Sequence, residues 1–514
     1  MLLKTGLVLA LLCLASATAH SAPKVAAEAD NPWVAGRIDY KRWGLQVSDF
    51  AVSANGQQNW ETGFQMLERF RLGVSGGWKW LGIHLEGDAF YGLLDGEFPQ
   101  PGMSGTQFAP KTPTKRDSFV PRKAYVQATA PFGVFRIGQQ TSSWGLGILA
   151  NSGEDNSSGL FSHKTGGDLV QRALFATKPL KFFSRNSLSD KLIFALGADL
   201  VYRDENAYLL DDDVAFQYLG SLLYKTKKVE GGAYVVYRDQ EDANGATLNV
   251  LVVDLAGKVN LQVSKQVSLK GGAEVAWLSG RTTRNRTFQS PDGPDINALG
   301  AAVELFAHLK QPALAAGFKA GLASGDGDND DGTIFRFRMD PDYNVGLILF
   351  DHYLAGMTAG AVDRIHAPEQ AAVAPDGIQG IATNGSIENA LYIAPAVTYG
   401  GAEGFGAGVQ ALLAWSHVAH ASPRETFEAG GSAGYLGNST TSLQRLGVEF
   451  DLSARYRLKI GRLMLEAKGE GGVLLPGPAF TTAGGCFPDT DVVTLLQGVL
   501  TVRWEKKEGG NEDE

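Results

Sequence analysis

Cysteine is almost absent: the 514 residues hold two, Cys13 and Cys486. Cys13 falls in an N-terminal leader, so one thiol remains, and an intramolecular disulfide framework is excluded. No segment beyond the leader approaches the ~20 consecutive apolar residues that a membrane helix needs. Basic charge is not in surplus either. Lys and Arg number 46 against 55 Asp and Glu, a net −9, which lacks the electrostatic footprint of a nucleic-acid binder. Catalytic motifs are missing too: there is no H-E-x-x-H and no Walker loop. Ser162 and His163 are adjacent, and neighbouring side chains on an extended chain point apart. The chain reads as non-enzymatic, with no cofactor.

What is present is alternation. In "RLGVEFDLSARYRL" (445–458), Leu446, Val448, Phe450, Leu452, Ala454, Tyr456 and Leu458 occupy every second position. Arg445, Glu449, Asp451, Arg455 and Arg457 stand between them. A strict period of two puts the apolar set on one face of a strand and the charged set on the other. The same pattern sets His84, Glu86 and Asp88 against Leu81, Ile83 and Leu85, and Lys270 and Glu274 against Val267, Leu269, Ala273, Val275 and Trp277. Glu304, His308 and Lys310 oppose Val303, Leu305, Ala307 and Leu309. Glu466, Lys468 and Glu470 oppose Leu463, Leu465 and Ala467, and Arg503 alternates with Leu500, Val502 and Trp504.

About seventeen such segments are legible, many near the ~9–11 residues of a tilted membrane strand. Their centres fall near residues 67, 85, 125, 136, 173, 197, 219, 235, 252, 272, 303, 318, 394, 411, 451, 467 and 498. Because bacterial single-chain barrels have even strand numbers, the expectation is an all-β, antiparallel transmembrane barrel of 18 strands. One strand is then hidden near residues 36–52, and 16 is the second choice. Short turns ("APFG", 130–133; "KIG", 459–461) alternate with long intervals (94–118, 141–166, 280–294), as barrel asymmetry requires. Trp78, Trp80, Tyr91, Tyr202, Trp277, Tyr456 and Trp504 lie at strand ends, where interfacial aromatic girdles belong. A soluble β-sandwich also alternates, but its strands are fewer and shorter.

The N-terminus supplies the address. Lys4, the apolar run "GLVLALLCLASA" (6–17) and "ATA" (17–19) make a secretory signal peptide over residues 1–19. Residues 20–504 would form an outer-membrane barrel, and the polar residues 505–514 a disordered periplasmic tail. The partners implied are outer-membrane lipid, small hydrophilic solutes and the outer-membrane assembly machinery, since "QGVLTVRW" resembles the last-strand assembly signal of such barrels.

A barrel this wide holds an aqueous lumen. Its expected lining is His84, Glu86, Asp88, Lys270, Glu274, Glu304, His308, Lys310, Arg445, Glu449, Asp451, Arg455, Arg457, Glu466, Lys468, Glu470 and Arg503. Arg445, Arg455 and Arg457 together suggest anion preference. The alternative is that they pair with carboxylates across the wall, because confined charges are usually compensated. His84 and His308 read as members of a charge network. Residues 326–387 form the longest interval without clear strands and are a candidate loop or plug. Within them "SGDGDNDDG" holds Asp326, Asp328, Asp330 and Asp331, oxygen ligands that suit Ca²⁺. Asp331 stands where an EF-hand needs glycine, and a solvated loop is the competing reading. Leu347, Phe350, Leu354 and Met357 recur at helical spacing, as for a short helix in the barrel mouth; a plain strand competes. Residues 360–387, rich in Ala, Gly and Pro, are expected to be mobile.

"RIGQQTSSWGLGILANSGED" (136–155), "ASGDGDNDDG" and "DPDYNVGLILFDHY" resemble a family of delta-proteobacterial outer-membrane barrels. More loosely, the strand pattern and the Asp-rich loop are similar to the 18-stranded alginate-export porins. The resemblance implies a barrel and solute passage, but no position here matches the alginate-conducting arginines. The function expected is a porin-like channel for small hydrophilic or anionic solutes. The alternative is a plugged barrel with a structural or surface-binding role.

Overall fold

The computed structural model describes residues 32–52, 59–60, 63–96, 117–154, 161, 166–183, 188–286, 289–328, 330–359, 382–422, 426, 432–437, 440–480 and 492–506. The signal peptide expected at 1–19 and most of the expected tail (507–514) lie outside them, as do residues 360–381 of the long interval.

Eighteen long strands form one sheet: β1 (Trp33–Val47), β2 (Gln65–Trp78), β3 (Leu81–Asp95), β4 (Asp117–Ala130), β5 (Gly133–Thr141), β6 (Leu169–Thr177), β7 (Leu192–Arg203), β8 (Val214–Lys225), β9 (Val229–Glu241), β10 (Thr247–Gln262), β11 (Val267–Thr282), β12 (Asp295–Leu309), β13 (Leu314–Ala323), β14 (Ala390–Tyr399), β15 (Gly404–Ser416), β16 (Arg445–Ile460), β17 (Leu463–Pro476) and β18 (Val493–Lys506). Each is antiparallel to its neighbour in sequence. The hidden strand is β1, and it closes the sheet: Gly44 pairs with Met66 of β2 on one side and Gly498 of β18 on the other. The fold is a closed, 18-stranded antiparallel β-barrel.

Tight turns join β2 to β3, β4 to β5, β8 to β9, β10 to β11, β12 to β13, β14 to β15 and β16 to β17. Most long connections are at the opposite end, which barrel asymmetry assigns to the outside; the connection 178–191 from β6 to β7 lies at the short-turn end. Along β16 the outward side chains are apolar and exposed (Phe450 51%, Leu452 63%, Tyr456 57%), whereas Glu449, Asp451, Ser453 and Arg455 are buried. A continuous apolar exterior on a sheet without edges is the one β-architecture that satisfies every backbone group in lipid. The chain is an outer-membrane β-barrel.

Register shifts interrupt several strand pairs, and two of them move side chains that the alternation had placed. At the top of β16, Ala414 pairs with Gly447 and Trp415 with Arg445, leaving Leu446 as the extra residue. Leu446 is therefore buried and Arg445 exposed, the reverse of the alternating pattern. In β3, Phe90 adopts a left-handed φ of 55° beside a register shift against β2. The shift points Phe90 outward and turns Tyr91 inward to 1% exposure, so Tyr91 is not part of an outer girdle.

Two segments from the long-loop end enter the barrel. Residues 142–154 follow β5. Residues 333–359 follow β13 and begin with a two-residue strand (Thr333–Ile334) parallel to β12. Their centre is a π-helix, Leu349–Leu354, continued helically to Ala359. The helical spacing of Leu347, Phe350, Leu354 and Met357 is thus realised, and all four are buried. They join a core with Phe50, Trp60, Ile148 and Phe480 inside the wall. Tyr353 packs against Phe50 at 4.9 Å and Phe480 at 5.0 Å. Of the stretch expected to be mobile, residues 382–387 are described, and Ala382, Thr383, Ser386 and Ile387 are buried.

Candidate functional site

The barrel interior brings most of the sequence-predicted charges together in two different ways. The first is direct cross-strand pairing. Asp88 of β3 lies opposite Arg71 of β2 and accepts a bidentate pair of hydrogen bonds at 2.6 and 2.8 Å. Glu86 lies opposite Lys123 of β4 (3.3 Å) and also meets Arg122 at 3.5 Å. Arg503 of β18 lies opposite Asp39 of β1 at 2.6 Å, and Arg69 reaches the same carboxylate at 3.1 Å. Arg172 of β6 is bidentate to Asp199 of β7 at 2.7 and 2.6 Å. Glu304 pairs with Lys319 at 3.5 Å across β12 and β13. Arg457 of β16 donates through Nε to Glu466 of β17 at 2.7 Å, and Arg455 approaches the same oxygen at 3.5 Å. Facing charges on adjacent strands meet because alternate residues share a face and neighbouring strands are within side-chain reach.

The second arrangement turns carboxylates toward the inserted segments. Glu449 accepts backbone hydrogen bonds from Leu347, Ile348 and Leu349 at 2.5 to 2.9 Å. Asp451 accepts from Gln410, whose amide also donates to the Val345 carbonyl at 2.6 Å. Glu274 accepts from the backbone of Leu146 and of Gly147 (2.9 Å), and Asp254 accepts from Trp144 Nε1 at 3.0 Å. Glu470 accepts from the Phe161 backbone at 2.8 Å and from Gln497 at 2.7 Å, and pairs with Lys468 at 2.8 Å.

The remaining candidates lie apart from these clusters. Lys270 and Lys310 are exposed at the short-turn end and His308 is half-buried there. Arg445 points outward at the long-loop end of β16, ten residues or ~33 Å of strand away from Arg455, so the three-arginine cluster is not assembled. His84 is buried, bonds Ser75 Oγ at 2.9 Å and stacks on Tyr125 at 4.6 Å.

The Asp-rich loop departs from the Ca²⁺ expectation. Asp326, Asp328 and Asp331 each accept from a backbone N–H two residues onward (3.2, 3.0 and 2.8 Å), and Asp330 accepts from Gln289 N at 2.9 Å. The carboxylates are spent on turns rather than converging. Burial raises the Asp326 carboxyl to about 6. Among the described residues, the group that could hold a metal ion is Asp168, Glu205 and Asp340, with ligand atoms within 4.8 Å of one another. Burial, then the neighbouring Asp340, Glu205 and Asp204, holds the Asp168 carboxyl well above the usual carboxylate range. These three come from separate loops, and no sequence spacing reveals them.

A cavity of about 640 Å³ lies between the inserted segments and the wall of β6–β12 at the long-loop end. Asp168, Asp204, Asp242, Arg238, Arg284 and Arg338 are among its lining. Arg238 is held by Asp204 and Arg284 by Asp242 (Nε–Oδ2 2.7 Å).

No family model matches the chain, and no curated protein does. Several solved structures align with it over most of its length. OccK1 (OpdK) of Pseudomonas aeruginosa aligns at TM-score 0.48 and 10% identity, over 92% of this chain and 98% of that one. OccAB3 of Acinetobacter baumannii gives 0.48 and 9%, over 93% and 99%. OprD of P. aeruginosa gives 0.47 and 9%, over 92% and 94%. At these values the likeness carries nothing about solute, and it gives no support to an alginate-export or delta-proteobacterial kinship.

Proposed function

We propose that this barrel is a constricted outer-membrane channel for small hydrophilic solutes, anions among them. The observation that carries the reading is the contrast between the two ends of the lumen. Toward the short turns the inward charges stay partly wet, with side chains of Arg37, Lys123, Arg457 and Arg503 about a quarter exposed. Toward the long loops the inserted segments fill the bore and leave the charged cavity against β6–β12. A solute would pass from that cavity, lined by both signs, into the wet half. Paired charges in a wet confined space favour hydrated polar solutes over apolar ones.

A second reading rests on the apolar core running from Phe50 and Trp60 through Tyr353 to Phe480. On it, residues 333–359 plug the barrel and the protein is structural or surface-binding. Single-channel recording of the mature chain in planar bilayers separates the two. Steady open-channel steps support the channel, and their ion selectivity then tests the preference for anions. Silence from protein shown to be folded and inserted supports the plug.

A further inference from the structure

The outer wall carries an apolar groove of about 650 Å³ across β1, β18, β17 and β16, where the barrel closes on itself. Its floor is made of residues paired in register: Gly44 with Gly498, Gly498 with Gly469, Gly469 with Ala454. A Cβ built on Gly469 or Gly498 would meet nothing within 4 Å, so the floor is open to the exterior. Phe64 lies over Gly44 at one end, and Phe405 pairs with Tyr456 at the other. The volume falls in the ~300–1,000 Å³ range of ligand clefts.

Of the three cationic residues along this groove, Arg455 and Lys468 turn their side chains inward to Glu466 and Glu470, and only Arg42 projects outward. Arg42 alternates with Lys41 and Trp43, which face inward and are buried, so it projects from the lipid side and is exposed. It lies nearer to Val47 than to Trp33, and hence in the half of the wall toward the long loops. Its guanidinium donates to the Met66 thioether (Nε–Sδ 3.1 Å) and makes no ion pair among the described residues. Sulfur is a weak acceptor, so most of the five donors remain available. An arginine on the lipid face costs ~2–4 kcal/mol at mid-membrane and ~0–1 near the interface, and a phosphate partner offsets that cost bidentately.

We propose that this groove binds one phosphate-bearing lipid of the outer leaflet, with an acyl chain along the glycine floor and a phosphate on Arg42. A second copy of the chain fits less well. A two-fold contact through this patch would bring two Arg42 side chains together in a dry interface.

The test is native mass spectrometry of the full mature barrel in mild detergent, with lipid A as the probe and dephosphorylated lipid A as its control. Arg42→Gln removes the cation. The double variant Gly469→Leu/Gly498→Leu fills the groove at positions where the added side chains have room, and heat-modifiable gel migration checks that each variant is folded. The expected result is one lipid A per barrel, bound about tenfold more weakly by Arg42→Gln, as for the loss of a charge-assisted contact. Dephosphorylated lipid A should bind equally to wild type and Arg42→Gln, and the double variant should hold neither lipid. Equal lipid A binding by all three proteins would overturn the proposal. So would a double variant that alters the oligomeric mass while leaving lipid binding unchanged, which would make the groove an interface between copies.

Discussion

The interior wall has two kinds of carboxylate, and the residue opposite each one decides which kind it is. Asp39, Asp88, Glu86, Asp199, Glu304 and Glu466 each face a cation across the strand pair: Arg503, Arg71, Lys123, Arg172, Lys319 and Arg457. Their charge is balanced within the wall. Glu449 faces Leu412 and Leu474, Glu274 faces Ala256 and Ala302, and Asp254 faces Tyr234 and Ala276. With no cation opposite, these carboxylates take backbone or indole N–H donors from the inserted segments. A buried charge needs compensation from somewhere. Where the wall does not supply it, the loops dock. Charge pairing therefore fixes the wall in one region, and N–H donors to unpaired carboxylates fix the contents of the bore in the other.

The comparison breaks most visibly at Glu449. Glu449→Ala leaves three buried N–H groups without an acceptor, a loss of about 4–6 kcal/mol of docking energy for residues 345–359. Hydrogen exchange should show the Leu347–Leu349 amides losing protection while the amides of β2 and β3 keep theirs. Next comes the wall. Arg71→Met leaves Asp88 with Arg122 at 3.8 Å in place of its bidentate partner and should lower barrel stability by about 3 kcal/mol in denaturant titration, whereas Arg71→Met with Asp88→Asn should recover much of it. The loops should remain docked in both. Trp144→Phe removes one indole donor to Asp254 and should cost about 1–2 kcal/mol, read as faster exchange in residues 144–150 alone.

The smallest effect expected is pH-dependent. Asp168 has a folded-state pKa above the unfolded ~3.9. Its ionisation therefore opposes folding as pH rises from about 4, and nothing is lost below that, where both states are protonated. Asp168→Asn should be more stable than wild type at pH 7 and equal to it near pH 3, measured by thermal unfolding.

Much of this was legible before any coordinates. Period-two alternation marked all the long strands except β1, where "WVAGRIDYKRWGLQV" mixes Arg42 and Gln46 into the outward face; only the even-number rule pointed to it. Arg69 and Arg71 alternate with Phe70 and Leu72 in "ERFRL" and were open to the same reading, yet their partners depend on register, which one strand alone does not reveal. Two outcomes lay beyond pattern. Bulges reversed Leu446, Arg445 and Tyr91, because one extra residue flips every side chain beyond it. The carboxylates that clamp loops find donors roughly a hundred residues away, as Glu449 does at Leu347–Leu349. Only the closed barrel brings these together.

The claim that wall carboxylates hold a constriction is tested most directly by one ratio: single-channel conductance of Glu449→Ala over that of wild type. Releasing residues 345–359 from the wall should raise conductance at least twofold, or open a channel where wild type shows none. Equal conductance, in protein whose Leu347–Leu349 amides have lost protection, would contradict it.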